Sequence, residues 1–221
     1  MADKNMKDEI IRSLLDTSFS RSLGATSLAD IATNLSIKKA SLYNHFNSRD
    51  DLVSQTIKAC EEYINEITFI PANVDAITKK YPAGTVLKGL VTRYFKMHEK
   101  EPLFQIYTFI QEQKYFNAEV AKVVREEKEK LLKQTSLVME SLIVAGKLSI
   151  KKQQVSSASL WFISGMNDML NMYLLDRKEI VMKNPESGEG ELFSIPAGDG
   201  AMAEIEKFVD SFVGLINGIE S

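Results

Sequence analysis

Cysteine is almost absent from this chain of 221 residues, which contains only Cys60. A single thiol cannot form an intramolecular disulfide, so a disulfide-stabilised secreted fold is excluded and a reducing, cytoplasmic location is expected. Histidine is also scarce, with two residues, so the sequence lacks the usual ligand set of a structural zinc site. We therefore expect no metal and no other cofactor.

Long apolar runs are absent as well. No stretch approaches the roughly 18 consecutive apolar residues that a transmembrane helix needs. The N-terminal residues MADKNMKDEI are charged from the start and lack the apolar core of a signal peptide. We expect a protein with no membrane association.

An excess of positive charge is missing too, because the formal net charge is −3. A general coat of basic residues for nucleic acid is thus excluded, and any contact with DNA must be local. Catalytic motifs are equally scarce: there is no G-x-S-x-G elbow and no phosphate-binding P-loop. Residues 198–203 fit the dinucleotide fingerprint, but too little chain follows for a βαβ unit. We expect no enzyme.

What the chain does have is apolar residues at helical spacing over most of its length, with little β-branched alternation. With 44% hydrophobic and 26% charged residues, it can bury a substantial core. The pattern predicts an all-α fold, with long helices at about 85–100, 102–114, 118–146, 151–176 and 199–218. Residues 177–198 are the exception, and a small β-hairpin, with strands at 179–182 and 191–195, and a long irregular loop are equal alternatives there.

The first quarter of the chain contains a compact series of helix signals. A first helix carries apolar residues from Ile10 to Phe19, and Gly24 interrupts it. Ser27 with Asp30 resembles a capping box, and residues 35–37 form a turn before a short helix at 38–44. Ser48 and two following acids then open a longer helix. Two short helices joined by a three-residue turn and packed on a third predict a helix-turn-helix unit.

Residues 24–52 closely resemble the signature of the tetracycline-repressor (TetR) family. The positions that match are Gly24, Thr26, Ser27, Ile31, Ala32, Ala40, Ser41, Leu42, Tyr43, His45, Phe46, Ser48, Arg49, Asp50 and Leu52. The resemblance implies a helix-turn-helix DNA-binding domain at residues 1–50 and a C-terminal helical domain for regulation and dimerisation at residues 51–221. One departure is Ser36, because the family usually has glycine in this turn.

The residues themselves support a DNA-reading helix at 38–44. Leu42 and Phe46 are spaced to seat it on the core, which leaves a small, polar and basic face for the major groove. The predicted DNA-binding residues are Thr26, Ser27, Lys38, Lys39, Ala40, Ser41, Tyr43, Asn44, His45 and Arg49. By resemblance, Tyr43, His45 and Arg49 contact phosphates, whereas Lys39, Ala40 and Asn44 meet bases. Structural alternatives remain open: Ser27 as a helix cap, Tyr43 packed inward, and His45 as a structural histidine.

A ligand site in the C-terminal helices is also implied by the resemblance. Methionines spaced along residues 166–172 beside Trp161 fit either core or dimer packing, or a soft hydrophobic pocket. The candidate lining residues are Cys60, Tyr63, Tyr94, His98, Phe104, Tyr107, Trp161 and Met169. The ligand would be a small hydrophobic or aromatic effector.

The sequence therefore predicts a repressor that binds double-stranded DNA at a near-palindromic operator as a homodimer and is released by that effector. The apolar surface of residues 160–175 and the stripe through Phe208 and Phe212 that ends at Ile216 are predicted to form the dimer interface. The alternative is a helical small-molecule sensor or carrier whose head binds a protein partner.

Overall fold

The computed structural model describes residues 2–183 and 199–218, and within these residues all regular structure is helical. This confirms the predicted all-α fold. In chain order the α-helices are α1 (Ala2–Arg21), α2 (Leu28–Asn34), α3 (Lys39–Leu42), α4 (Arg49–Glu66), α5 (Val74–Lys80), α6 (Ala83–His98), α7 (Leu103–Gln113), α8 (Ala118–Val144), α9 (Val155–Lys183) and α10 (Asp199–Gly218). A 3₁₀ turn at Lys152–Gln154 precedes α9. None of the helices described is long and apolar enough to cross a membrane.

Two segments differ from the expectation. Helix α5 was not predicted, because it is short and lies between Pro71 and Pro82, which disrupt the periodic pattern. Helix α9 continues to Lys183, so residues 179–182 are helical and the hairpin alternative is wrong for that strand. The second strand of the predicted hairpin, at 191–195, lies outside the described residues.

The chain divides into two compact units. The head unit comprises Met1–Ile67 with Glu101–Glu127, and the body unit comprises Thr68–Lys100 with Lys128–Ser221. The predicted functional boundary after residue 50 stays a prediction.

In the head unit, the core lies between α1 and the helices that pack on it. Helix α1 buries Ile10, Leu14, Leu15 and Phe19 at helical spacing, and the Phe19 ring meets that of Phe104 edge-on at 4.9 Å between centroids. The loop after α1 is held by the backbone N–H of Leu23, which donates to the Glu112 carboxylate at 3.2 Å. Helix α1 thus packs against α2, α4 and α7, and α3 packs on α2.

In the body unit, the apolar stripe of α10 is part of the core of its own chain. The Phe162 ring of α9 lies 5.5 Å from that of Phe208 and 5.0 Å from that of Phe212. Gly165 permits this packing, since a Cβ there would stand 2.5 Å from the Phe208 ring. Phe212 is buried within its own chain, so the prediction that it forms the dimer surface is wrong, whereas Phe208 is half-buried and its place in the interface stays a prediction. A periodic stripe cannot distinguish burial within a chain from burial against a partner.

The turn between α2 and α3 contains a strained residue. Ser36 has a φ of 55°, its N–H donates to the Thr33 carbonyl at 3.0 Å, and the Ile37 N–H donates to the Ala32 carbonyl at 2.9 Å. These two bonds are the Schellman pattern of a helix end, in which glycine is the usual left-handed residue. A residue with a Cβ atom is strained in the left-handed backbone conformation, and glycine avoids this strain.

Replacing Ser36 by glycine should therefore stabilise the protein, by up to about 1 kcal/mol in free energy of unfolding. Urea unfolding followed by circular dichroism measures the change. Ser36→Ala is the matched control: it keeps the Cβ and should give no stabilisation. A glycine variant that unfolds at the same or a lower urea concentration would contradict this account.

Candidate nucleic-acid interface

The start of α2 is fixed by a complete capping box. The Ser27 hydroxyl accepts a hydrogen bond from the Asp30 N–H at 3.2 Å and donates to the Asp30 carboxylate at 2.6 Å, while the Ser27 N–H donates to the same carboxylate at 2.9 Å. These bonds to Ser27, with a smaller contribution from Arg21, hold the pKa of Asp30 below its usual value. The Thr26 hydroxyl is buried and donates to the Ser22 carbonyl at 2.7 Å. Both hydroxyls therefore have structural roles in the absence of DNA.

Helix α3 is short, but the chain continues to turn beyond it. The N–H of His45 and that of Phe46 both donate to the Leu42 carbonyl at 3.0 Å. Leu42 and Phe46 are buried, at 2% and 4% exposure, as the spacing predicted. The Nζ of Lys7 stands over the Phe46 ring, 5.9 Å from its centroid. Buried apolar side chains on one side thus hold α3 and the turn after it against the core.

The opposite side of α3 is exposed to solvent and carries the predicted reading residues. Lys38, Lys39, Ala40, Tyr43 and Asn44 are exposed, whereas Ser41 and His45 are half-buried. The inward alternative for Tyr43 does not occur here, because its side chain is 53% exposed. Since no acidic residue lies between positions 38 and 49, this face is locally basic in an acidic chain. Such a face is suited to phosphates and base edges.

Arg49 has a structural contact that the sequence did not indicate. Its Nη2 donates to the Leu23 carbonyl at 2.6 Å and to the Thr26 carbonyl at 3.2 Å, and its Nε lies 3.4 Å from the latter oxygen. The first residue of α4 is thereby tied to the loop between α1 and α2. Backbone acceptors in an earlier loop leave no signature in the sequence, so only the basic charge of Arg49 could be interpreted there.

Arg49→Ala should destabilise the protein by about 1.5–3 kcal/mol, because the two loop carbonyls lose a charged donor. Thermal or urea unfolding measures this change. The matched control is Arg12→Ala, which removes an exposed arginine from α1 and should stay within about 0.5 kcal/mol. If Arg49→Ala and Arg12→Ala unfold alike, the bonds to the loop are not stabilising.

Four of the predicted ligand residues lie in the head unit. Cys60 and Phe104 are buried, and Tyr63 and Tyr107 are half-buried. Burial raises the pKa of the Cys60 thiol to about 12. Burial, with a smaller effect from Glu127, also raises the pKa of Tyr107 to about 12. These groups are neutral at physiological pH and pack as parts of the helical core.

The other four lie in the body unit. The rings of Tyr94 and His98 are adjacent and buried, with centroids 4.3 Å apart, and the Tyr94 hydroxyl donates to Asn167 at 3.2 Å. Burial lowers the pKa of His98 to about 4, so the imidazole is neutral and its Nδ1–H can donate to the Tyr94 carbonyl at 2.8 Å. Met169 is half-buried, whereas Trp161 is 59% exposed and points away from the core of its unit.

The body unit also contains a cavity of about 280 Å³ that the sequence did not indicate. It lies among α5, α6 and α8, and none of the eight predicted ligand residues lines it. The residues of α6 that line the cavity follow helical spacing. The sequence did not predict α5, so the part of the lining that α5 contributes was not recognised. In the described part of the chain, no group of three or more metal-binding side chains occurs.

Several large apolar side chains on the last two helices are exposed. On α9 these are Leu160, Trp161, Met172, Leu175, Ile180 and Met182, and on α10 they are Met202 and Leu215. Positions 161, 164, 168, 172 and 175 are exposed and spaced three or four residues apart, so they form one stripe along α9. Three of them are the apolar residues Trp161, Met172 and Leu175, and the other two are the polar residues Ser164 and Asp168. Apolar area of this kind marks a surface for protein association.

Comparison with known proteins agrees with this geometry. The family model for bacterial regulatory proteins of the tetR family matches residues 18–56, which span the end of α1, α2, α3 and the first part of α4. IcaR of Staphylococcus aureus (strain Newman), a negative transcriptional regulator of the biofilm operon icaADBC, is 29% identical over 186 residues, covering 76% of this chain and 99% of the relative. IcaR of Staphylococcus epidermidis is 33% identical over 70 residues, covering 32% of this chain and 37% of the relative.

Solved structures extend the likeness of the fold along the chain. A tetR-family regulator from Mesorhizobium loti superposes with a TM-score of 0.59 at 18% identity, covering 98% of this chain and 96% of its own. GusR of Salmonella enterica superposes with a TM-score of 0.54 at 13% identity, covering 94% of this chain and 95% of its own. At this level of identity the likeness concerns the fold.

Proposed function

This chain belongs to the tetR family of bacterial regulatory proteins, and from this premise we propose that it represses transcription as a homodimer bound to a near-palindromic operator. Its role as a transcriptional regulator follows from the family. The proposal of repression rather than activation is supported by IcaR, which is a negative transcriptional regulator. The family is one of regulators rather than enzymes, and we propose no catalytic role.

The observation that carries the DNA-binding proposal is the exposed basic face of α3, which lies opposite the buried side chains of Leu42 and Phe46. Lys38, Lys39 and Arg49 are the cations nearest to this face in the sequence, with no acid between them. A binding site of this size makes few phosphate contacts, so one copy would bind weakly. Two copies related by a two-fold axis would meet successive major grooves about 34 Å apart, which requires a near-palindromic operator.

The exposed side chains of Trp161, Met172 and Leu175 on α9, with the exposed apolar residues of α10, support the dimer proposal. We propose that these surfaces pair with their copies and bury at least about 1,500 Å² in total, as obligate dimers do. An effector bound in the C-terminal helices would favour a conformation in which the spacing of the two DNA-binding helices no longer fits the operator. This population shift would release the repressor.

A gel shift with the DNA upstream of its own gene tests the proposal at two salt concentrations. The wild-type protein should prefer this DNA to a scrambled sequence of equal length, with affinity falling steeply as salt rises. Lys38→Gln with Lys39→Gln should abolish the shift. The matched control, Lys79→Gln with Lys80→Gln, removes the same charge from α5 and should bind normally. A wild-type protein without preference for any DNA would leave the alternative, a head that binds a protein partner.

A further inference from the structure

The cavity in the body unit is a partly open groove with an apolar lining. Its lining includes Pro71, then Val74 and Ile77 of α5, Val86 and Leu90 of α6, and Val138 of α8. The residues that α6 contributes run from Thr85 to Arg93, about 12 Å of helix at 1.5 Å per residue. Such a surface favours an extended hydrocarbon group, because burial of apolar area drives its binding.

Within the part of the chain that the structure describes, Arg93 is the one charged residue that lines this cavity. Arg93 is exposed and lines it one helical turn beyond Gly89 and Leu90, and one of its terminal nitrogens contacts the Thr68 carbonyl at 3.5 Å. The ammonium group of Lys80 stands over the ring of Tyr81, another lining residue, 5.0 Å from its centroid. Among the residues that the structure describes, no carboxylate lines the cavity. The polar part of a ligand would therefore meet a guanidinium, which binds carboxylates through paired hydrogen bonds.

Gly89 provides a separate observation at the cavity, because its lack of a side chain leaves space there. It lies in the interior of α6, where glycine lowers helix stability. No atom lies within 4 Å of where its Cβ would be, so close packing of protein atoms does not account for the glycine. Since Gly89 lines the cavity, a larger residue would project into space that is otherwise available to a ligand.

We propose that this cavity binds an amphiphilic monocarboxylate, with its alkyl chain along the groove between α5 and α6 and its carboxylate on Arg93. The proposal rests on the proposed function only in that this ligand would be the effector. It differs from the small hydrophobic or aromatic effector expected from the sequence in its position and in having a carboxylate.

Calorimetric titration of the full chain with hexanoate, octanoate and decanoate, below their micelle concentrations, tests the binding directly. Affinity should rise about fourfold for each added methylene until the groove is filled. Octan-1-ol should bind more weakly than octanoate, and octylammonium should not bind measurably. Equal affinities for the carboxylate and the ammonium compound would overturn the proposal.

Variants separate the two parts of the site. Arg93→Gln should weaken octanoate binding at least about tenfold and leave octan-1-ol binding within twofold. Lys96→Gln, which removes an exposed charge elsewhere on α6, should change neither. Gly89→Leu should abolish binding of both ligands without lowering the melting temperature, because leucine favours a helix more than glycine does. Unchanged octanoate affinity in Arg93→Gln, or in a folded Gly89→Leu variant, would contradict the proposal.

A gel shift with octanoate distinguishes this proposal from the proposed function. Release of DNA by octanoate in the wild type, but not in Gly89→Leu, supports both. Binding of octanoate by calorimetry with no effect on the DNA complex would confirm the site and refute its role as the effector site. Normal DNA binding by a protein that binds no carboxylate would refute the site alone.

Discussion

Trp161→Glu combined with Leu175→Glu should convert the dimer into a folded monomer that binds its operator at least about a hundredfold more weakly. Both side chains are 59% exposed, and they are fourteen residues apart, about four turns along one face of α9. Two-fold pairing of α9 would bring four glutamates into the interface in place of four apolar side chains, at a desolvation cost that the dimer could not offset. Loss of the second DNA contact removes the gain from bivalent binding, which is 10²-fold or more.

Sedimentation and circular dichroism measure the oligomeric state and the fold of this variant. The matched control is Tyr115→Glu with Phe116→Glu, which places the same charges at two aromatic side chains, 82% and 88% exposed, in the loop between α7 and α8. The control should remain dimeric. A monomer formed by the loop variant, with a dimer retained by the α9 variant, would move the interface from α9 to that loop.

The parts of the fold that depend on local signals could be predicted from the sequence. Ser27 with Asp30 forms the expected capping box, and the Ser48 hydroxyl accepts from the Asp51 N–H at 3.0 Å to start α4. Capping involves residues three apart, so composition and spacing are sufficient to identify it. Ser36 adopts the left-handed conformation for the same reason, because the end of a helix imposes its geometry on whichever residue is there.

The parts that depend on tertiary partners could not be predicted. Arg49 has the charge of a phosphate-binding residue, but the carbonyls that it contacts are more than twenty residues earlier in the chain. Phe212 has the periodicity of an interface residue, but it is buried against Phe162 of the same chain. Periodicity identifies the apolar face of a helix and leaves open what covers it. The same limit applies to the cavity of the proposed ligand site, because part of its lining comes from α5, a short helix between two prolines that the sequence pattern did not predict.

The assignment of base contacts and phosphate contacts within the reading face leads to a second large effect. Lys39 and Asn44 are exposed on α3 and just beyond it, and we propose that they contact base edges. Lys39→Ala or Asn44→Ala should lower operator affinity by roughly 1–3 kcal/mol each and relax preference at particular operator positions. Tyr43→Phe removes only a hydroxyl that we propose to contact a phosphate, so it should weaken binding to all sequences alike.

A binding titration of each variant against a library of operator sequences, at two salt concentrations, distinguishes these roles. Lys39→Ala should also lower the dependence of affinity on salt, because a cation is lost, whereas Asn44→Ala should leave it unchanged. Asn44 is therefore the more discriminating position: its loss should alter base preference without altering the ionic contribution. If the Asn44→Ala variant loses affinity equally for every sequence, Asn44 does not read bases, and the reading face must be assigned to other residues of the segment from Lys38 to His45.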